Sequence, residues 1–575
     1  MINLTNQVIE EVKWKLAPEV SENKSITDSL FNNGVLRISD WLNQNIIETI
    51  KSGPHRSVYK INLPELDFHL KHNRISGARA ILREWFRTPK AQNEFQIALQ
   101  LLKLGIPTIQ PLAYGKTSGF FPDSFIISRS LNNTIPLADF WQNLQSQRWE
   151  LSWNLRHQLI TTLAKFLATL HRKGVIHTDL HPGNLMVEHH PSDGLKIIIL
   201  DLHPVVIQVE PLDWKKRLAN LAMLDRWAVF NTSFTDRMRL WQNYIDEVEL
   251  QEGKDAFPFN DRYWLKKQIG FMKDLESTAN RNLWAGFDLR CFGNNRRFKK
   301  LKYNKGKGHY VADLGKTCLD SLINLNSTTL DSQCFTTLKK SKSSEVICIK
   351  AMDGRLERSL IIKKIFVTKF LDPIVGLFRP DGATRSWQMG HALLTRQLPT
   401  PKPLALWHRQ AFGLKFDGTI VTEEIPNAFD LPKYLEKIGH LSSLEQNKKL
   451  RNLTEALACL IRKMHDVSVS HRDLKAPNLM VCEINGEIQI WLIDLVGVRT
   501  HTYLGEEKKA QNLSRLNSSF MNTSKVSRTE KLRFLRQYLR WGLEGPFTWK
   551  VWWHKIGNYT SLKMVKNQKS GRPLA

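Results

Sequence analysis

Two stretches of this chain carry, at one spacing, the residue types that phosphoryl transfer needs. The later reads His471-Arg472-Asp473-Leu474-Lys475-Ala476-Pro477-Asn478, and an apolar strand after it ends Trp491-Leu492-Ile493-Asp494. The earlier reads His177-Thr178-Asp179-Leu180-His181-Pro182-Gly183-Asn184 and ends Ile198-Ile199-Leu200-Asp201. Moving a phosphoryl group from a nucleotide asks for a carboxylate that orients the attacking hydroxyl and accepts its proton. It also asks for oxygen ligands that hold magnesium on the phosphates. Asp179, Asn184 and Asp201 supply that set in the first copy, and Asp473, Asn478 and Asp494 in the second.

A lone Asp-Leu-x-x-x-Asn would be ordinary turn chemistry, since Asp and Asn favour polar loops. Here each copy follows a helical apolar pattern ending in His171 or His465, and each precedes a short hairpin. The hairpins run 185–187 to 195–197 and 479–481 to 488–490. The spacing is that of the catalytic and metal loops of the protein-kinase-like fold. That fold needs a lysine on a strand to meet the nucleotide phosphates, and Lys71 ends the apolar-alternating strand 67–71. Its counterpart, Lys363, ends Leu360-Ile361-Ile362-Lys363. The helix expected over 91–104 offers Glu94 to pair with Lys71, with Glu84 as the alternative. No Gly-x-Gly-x-x-Gly precedes either lysine, so phosphate cover falls to basic residues such as Arg56.

The halves align at an almost constant offset. Lys71 to Lys363 and Pro107-Thr108 to Pro399-Thr400 are each 292 residues, Asp179 to Asp473 is 294, and Asp201 to Asp494 is 293. Such an offset across strand, helix and loop means tandem duplication. The expected fold class is α+β, as two tandem protein-kinase-like, two-lobed domains over 1–300 and 301–575. The Gly-, Asn- and Lys-rich stretch 293–308 serves either as the boundary or as the basic lead of the second domain.

At 575 residues the chain exceeds one core, and 42% apolar residues suffice for two. No apolar run approaches the eighteen or so residues of a membrane span, and the start lacks a secretory pattern, so a cytoplasmic protein is expected. Six cysteines without a Cys-x-x-Cys pair read as reduced thiols rather than a zinc site. The 83 Lys+Arg against 55 Asp+Glu give a net charge of +28, a surface that attracts phosphates. From Arg528 to Ala575 there are eleven Lys+Arg and two acidic residues among Trp541, Phe547, Trp549, Trp552, Trp553 and Tyr559. This is either a packed tail or an interfacial surface for anionic membrane, where each cation contributes about 1 kcal/mol. Nucleic acid is not expected as a partner, because no recognised module accompanies the tail.

Lys71, Gly105-Ile106-Pro107-Thr108, the two His-x-Asp-Leu-x-x-x-Asn loops, and Asp201-Leu202-His203 in place of Asp-Phe-Gly together resemble the Kdo/heptose (WaaP-like) kinases of the lipopolysaccharide core. The resemblance covers both halves. It implies ATP and magnesium as cofactors, and as acceptor a sugar hydroxyl of a lipid-linked glycan such as the lipopolysaccharide core, at the inner face of the cytoplasmic membrane. It implies Lys71 on the phosphates held by Glu94, Asp179 as the catalytic carboxylate, and Asn184 and Asp201 on magnesium. Lys363, Asp473, Asn478 and Asp494 take those roles in the second half, with Lys475 near the transferred phosphate. Two departures stand out: the position of Glu94 is Ser386 in the second copy, beside Trp387, and that of Lys475 is His181 in the first. A protein serine/threonine kinase stays open on His471-Arg472-Asp473-Leu474-Lys475, and a pseudokinase-type scaffold stays open on Ser386.

Overall fold

The computed structural model describes residues 12–53, 56–64, 66–74, 88–118, 123–146, 149–190, 194–253, 274–275, 277–278, 283–303, 306–324, 335–354, 356–367, 380–411, 414–484, 486–521, 523, 525–539 and 548–569. The chain is α+β and forms two compact units, Met1–Leu275 and Glu276–Ala575.

In the first unit, six antiparallel strands form one sheet: β1 (Val12–Leu16), β2 (Ile47–Lys51), β3 (Arg56–Asn62), β4 (Asp67–Asn73), β5 (Pro111–Thr117) and β6 (Ser124–Arg129), in the order β1-β5-β6-β4-β3-β2. The period-two alternation of β4 buries Phe68, Leu70 and His72 and leaves Lys71 on the opposite face. Lys71 lies opposite Val58 on one side and Ile126 on the other. Helix α1 (Lys90–Lys103) contributes Ala91 and Phe95 to the sheet's core. Helix α2 (Trp149–Arg172) then leads into a short strand, β7 (Val175–His177), and the hairpin of β8 (Leu185–His190) and β9 (Gly194–Ile199). Gly174 ends α2 at φ +71°, and a Cβ there would meet the Gln208 carbonyl oxygen at 2.2 Å, so the turn demands glycine. Strand β10 (Val205–Ile207) returns to pair with β7, and α3 (Trp214–Asn231) and α4 (Phe234–Glu252) close the unit.

The second unit repeats this plan. Its seven-stranded sheet comprises β11 (Phe298–Tyr303), β12 (Gly306–Val311), β13 (Phe335–Lys340), β14 (Ser344–Asp353), β15 (Leu356–Ile365), β16 (Pro403–Ala411) and β17 (Leu414–Glu423), in the order β11-β12-β16-β17-β15-β14-β13. Helix α5 (Gly382–Thr395) takes the place of α1, and α6 (Ser443–Asp466) that of α2. The loop strands are β18 (Val469–His471), β19 (Leu479–Ile484), β20 (Glu487–Leu492) and β21 (Val498–Thr500), followed by α7 (Glu506–Ser518), α8 (Arg528–Leu539) and α9 (Thr548–Lys569).

Within the stretch 293–308, residues 298–303 and 306–308 are strand in the second unit's sheet, which fits the lead of that unit. A Cβ on Gly306 would meet the His408 carbonyl oxygen, and one on Gly308 that of Leu406, each at 1.9 Å. These glycines permit close approach of the β11–β12 hairpin to β16, so their composition mimics flexibility for a packing reason. The units divide ahead of residue 300 because Asp288 forms a buried bidentate ion pair with Arg396 at 2.6 and 3.0 Å. The Trp387 indole also donates to the Cys291 carbonyl at 3.2 Å.

Candidate active site

In the first unit, His177 at the end of β7 is fully buried, and burial lowers its pKa. Its Nε2 donates to the Leu200 carbonyl at 3.0 Å, and its Nδ1 accepts from the Asp179 amide at 3.2 Å. One imidazole thereby ties the loop of Asp179 to the strand end that presents Asp201. The Asn184 Nδ2 donates to the Asp179 carbonyl at 3.0 Å, and the Leu200 amide donates to the Asn184 carbonyl at 2.8 Å. Asp179, Asn184 and Asp201 are thus held in one network, with the Asp179 side chain 64% exposed. Asp201 sits at φ +53°, in the left-handed region that asparagine and aspartate tolerate better than most non-glycine residues.

The sheet supplies the cations. Lys71 on β4 and Glu94 on α1 form an ion pair, with the Glu94 side chain 4% exposed. Glu84, the alternative partner, lies outside the described residues. Arg56 at the start of β3 reaches within 3.6 Å of the Asp201 carboxylate, and its buried Nε has no hydrogen-bond partner among the described residues. His181 accepts from the Gly183 amide through Nδ1 at 3.0 Å and places Nε2 3.9 Å from the Asp179 carboxylate.

The second unit reproduces the loop. His471 Nε2 donates to the Ile493 carbonyl at 3.3 Å and Nδ1 accepts from the Asp473 amide at 3.2 Å, while Asn478 Nδ2 donates to the Asp473 carbonyl at 2.8 Å. Asp494 is left-handed too, at φ +55°. The cations are arranged differently. Ser386 is buried, and its hydroxyl donates to the Gly382 carbonyl within α5 at 2.8 Å. Lys363 donates instead to Asp494 at 2.8 Å. Burial raises the Asp494 carboxyl, but Lys363 outweighs it and the net shift is downward. Lys475 lies 3.1 Å from Asp473.

Magnesium favours oxygen ligands and completes its shell with phosphates and water. With the Asn184 Nδ2 bonded to the Asp179 carbonyl, the Asn184 amide oxygen and the Asp201 carboxylate are ligands of the type such an ion takes. Among the described residues no cluster of three or more His, Cys, Asp or Glu side chains gathers to hold a metal.

Sequence reading missed the braces behind the loops. His171 at the end of α2 is buried between the Tyr244 hydroxyl, 2.8 Å from Nδ1, and Asn220, whose Nδ2 donates to the His177 carbonyl at 2.7 Å. His465 and Tyr538 repeat the contact at 2.8 Å, and Asn512 accepts from the His471 amide at 2.8 Å. The parallel runs Asn220-Leu221-Ala222-Met223-Leu224 and Asn512-Leu513-Ser514-Arg515-Leu516 were the available signal. In the basic tail, Trp552 is buried beside Tyr538, and Trp553 lines an apolar cavity of about 360 Å³ with Leu453, Leu457 and Phe534. These rings pack inward, while Trp541 and Phe547 lie outside the described residues. No helix among the described residues is long and apolar enough to cross a membrane.

The repeated loop and its braces define one class of site, present in each unit. The model of the lipopolysaccharide kinase (Kdo/WaaP) family matches residues 57–244 and again 374–538. The chain belongs to that family. Similar proteins include the 3-deoxy-D-manno-octulosonic acid kinases of Haemophilus influenzae (strain 86-028NP), 35% identical over 142 residues, and Pasteurella multocida (strain Pm70), 36% identical over 141. Each alignment covers 24% of this chain and 54% or 52% of the relative, so the chain spans about half the length of the curated relatives it matches. A solved structure of WaaP in complex with acyl carrier protein is similar at 18% identity and a TM-score of 0.34, covering 47% of this chain and 98% of that one.

Proposed function

We propose that the chain is an ATP-dependent phosphotransferase built as two tandem kinase-like domains, one per unit, and that it phosphorylates a sugar hydroxyl of a lipid-linked glycan such as the lipopolysaccharide core. The observation that carries the reading is the first unit's joint possession of the Lys71–Glu94 pair and the network of Asp179, Asn184 and Asp201. Lys71, held by Glu94, binds the nucleotide phosphates. Arg56 supplies the phosphate cover that a glycine-rich loop gives elsewhere, and its unsatisfied Nε supports that role. Asn184 and Asp201 hold magnesium, which, when bound, offsets charge on the phosphates. Asp179, exposed and anchored by His177, orients the acceptor hydroxyl and takes its proton. Lys363, Lys475, Asp473, Asn478 and Asp494 offer the second unit the same parts. There Lys363 engages Asp494 directly, which favours nucleotide binding with little or no turnover.

A sugar acceptor is supported by family membership and by the short chain after each metal-loop Asp. Asp201 is followed by β10 and then by α3 from Trp214, and Asp494 by a single turn, Leu495–Gly497, and β21. Little chain remains for the extended segment on which protein kinases lay a peptide. Purified protein with magnesium and ATP is expected to label lipopolysaccharide core or a Kdo- or heptose-bearing acceptor, and not basic proteins. Stoichiometric phosphorylation of a protein, with none on any glycolipid tried, would replace this reading with a protein kinase.

A further inference from the structure

On and near the Asp473 loop the second unit carries cations at three positions where the first unit has threonine, histidine and methionine. Arg472 and Lys475 flank Asp473 where the first unit has Thr178 and His181 beside Asp179. Arg515 occupies the place of Met223 in the parallel runs that begin at Asn512 and Asn220. Its location follows from helix geometry: Asn512 is bonded to the His471 amide, and a residue three further on shares its face of α7, toward the catalytic loop. A fourth cation arrives from α9, which packs on α7. Thr560 of α9 is buried and meets Asn517 of α7 at 3.1 Å, and Lys563 lies one turn beyond it.

These charges act on one another. Burial lowers the pKa of Arg515, Arg472 lowers it further, and Asp473 opposes both. Burial likewise lowers Lys563, with Arg515, Lys475 and Lys566 pushing the same way and Asp473 against them. Arg515 and Lys563 are the partly desolvated pair, with Lys475 3.1 Å from Asp473, and a desolvated cation is costly unless enough negative charge faces it. The repeat shows that the fold does not require them, since threonine, histidine and methionine serve at three of these positions in the first unit.

We propose that the second unit is an anion-recognition site, in which Arg472, Lys475, Arg515 and Lys563 hold a sugar phosphomonoester against the catalytic loop of Asp473. This rests on the proposed sugar-kinase reading, in which the Asp473 loop repeats the parts of the Asp179 loop. A phosphomonoester brings close to two negative charges and three acceptor oxygens, matching guanidinium and ammonium donors that converge from loop, α7 and α9. The reaction class that supplies such a ligand is phosphorylation of a sugar hydroxyl, the step assigned above to the first unit.

The test uses the full chain saturated with magnesium and a non-hydrolysable ATP analogue, titrated calorimetrically with mannose 6-phosphate, mannose and inorganic phosphate. Mannose 6-phosphate is expected to bind, inorganic phosphate to bind more weakly, and mannose not at all. Arg515→Met, which installs the first unit's residue, and Lys563→Gln should each weaken mannose 6-phosphate about tenfold. Lys300→Gln, an equal charge loss on exposed β11, should not change it. The proposal is overturned if mannose 6-phosphate does not bind, if Lys563→Gln leaves its affinity intact, or if Lys300→Gln weakens it equally, since bulk charge would then suffice. Lys563 lies on an already half-exposed helix face, so its variant keeps the test decisive should Arg515→Met unfold. Failure of the ATP analogue to bind would count against the kinase reading separately, because the sugar phosphate can also be titrated without it.

Discussion

Lys71 and Lys363 occupy matching strand positions and meet different partners, and that difference sets the division of labour proposed for the two units. Glu94 draws Lys71 into a pair on the sheet, whereas Ser386 turns its hydroxyl back onto α5 and leaves Lys363 to bridge to Asp494. A lysine already neutralising the metal-loop carboxylate competes with the cation that the site needs there. Replacing Glu94 with Gln should therefore lower kcat/KM for ATP by at least about tenfold, with thermal unfolding nearly unchanged. An unaltered kcat/KM would show that Lys71 is positioned without Glu94. The loop residues were legible in sequence because their spacing is the chemistry itself. The ionic partner of Lys363 was not, because three-dimensional placement selects it, and Ser386 told only what was missing.

At the scale of elements, each catalytic loop hangs from a buried brace of histidine, tyrosine and asparagine contributed by three helices. His171 is pushed down to about 3 by burial, against about 6.5 for an unfolded histidine. A depressed folded value means that the unfolded chain takes up the proton first. The contribution of His171 is therefore complete above about pH 6.5 and declines as pH falls toward 3, by about 1.4 kcal/mol per unit. Urea midpoints at pH 7.5 and 5 should fall accordingly, and less steeply in His171→Gln. An identical pH dependence in that variant would remove His171 from the account. The helices and hairpins around the loops were readable from apolar periodicity. The β11–β12 hairpin was not, since its glycines serve close packing yet have the composition of a linker, and the tail's composition left packing and membrane contact both open until the burial of Trp552 favoured packing.

For the whole molecule, two segments that match one family model sit in a chain of net charge +28. Such a charge attracts anionic partners at long range. With Trp552 buried and Trp553 half-buried, α9 still exposes Val551, Leu562 and Val565 among its lysines. Binding to anionic vesicles is expected, and it should weaken sharply as salt shortens the screening length below about 8 Å. Equal binding to neutral and anionic vesicles would remove the electrostatic part of that attachment. The central claim is that catalysis resides in the first unit, where Asp179 accepts the acceptor's proton beside an intact Lys71–Glu94 pair. The direct measurement is magnesium- and ATP-dependent phosphate transfer to lipopolysaccharide core by Asp179→Asn and Asp473→Asn proteins of equal thermal stability. The account predicts a loss of about a hundredfold or more for Asp179→Asn and a much smaller loss for Asp473→Asn. Full turnover by Asp179→Asn, with none by Asp473→Asn, would contradict it and place the chemistry in the second unit.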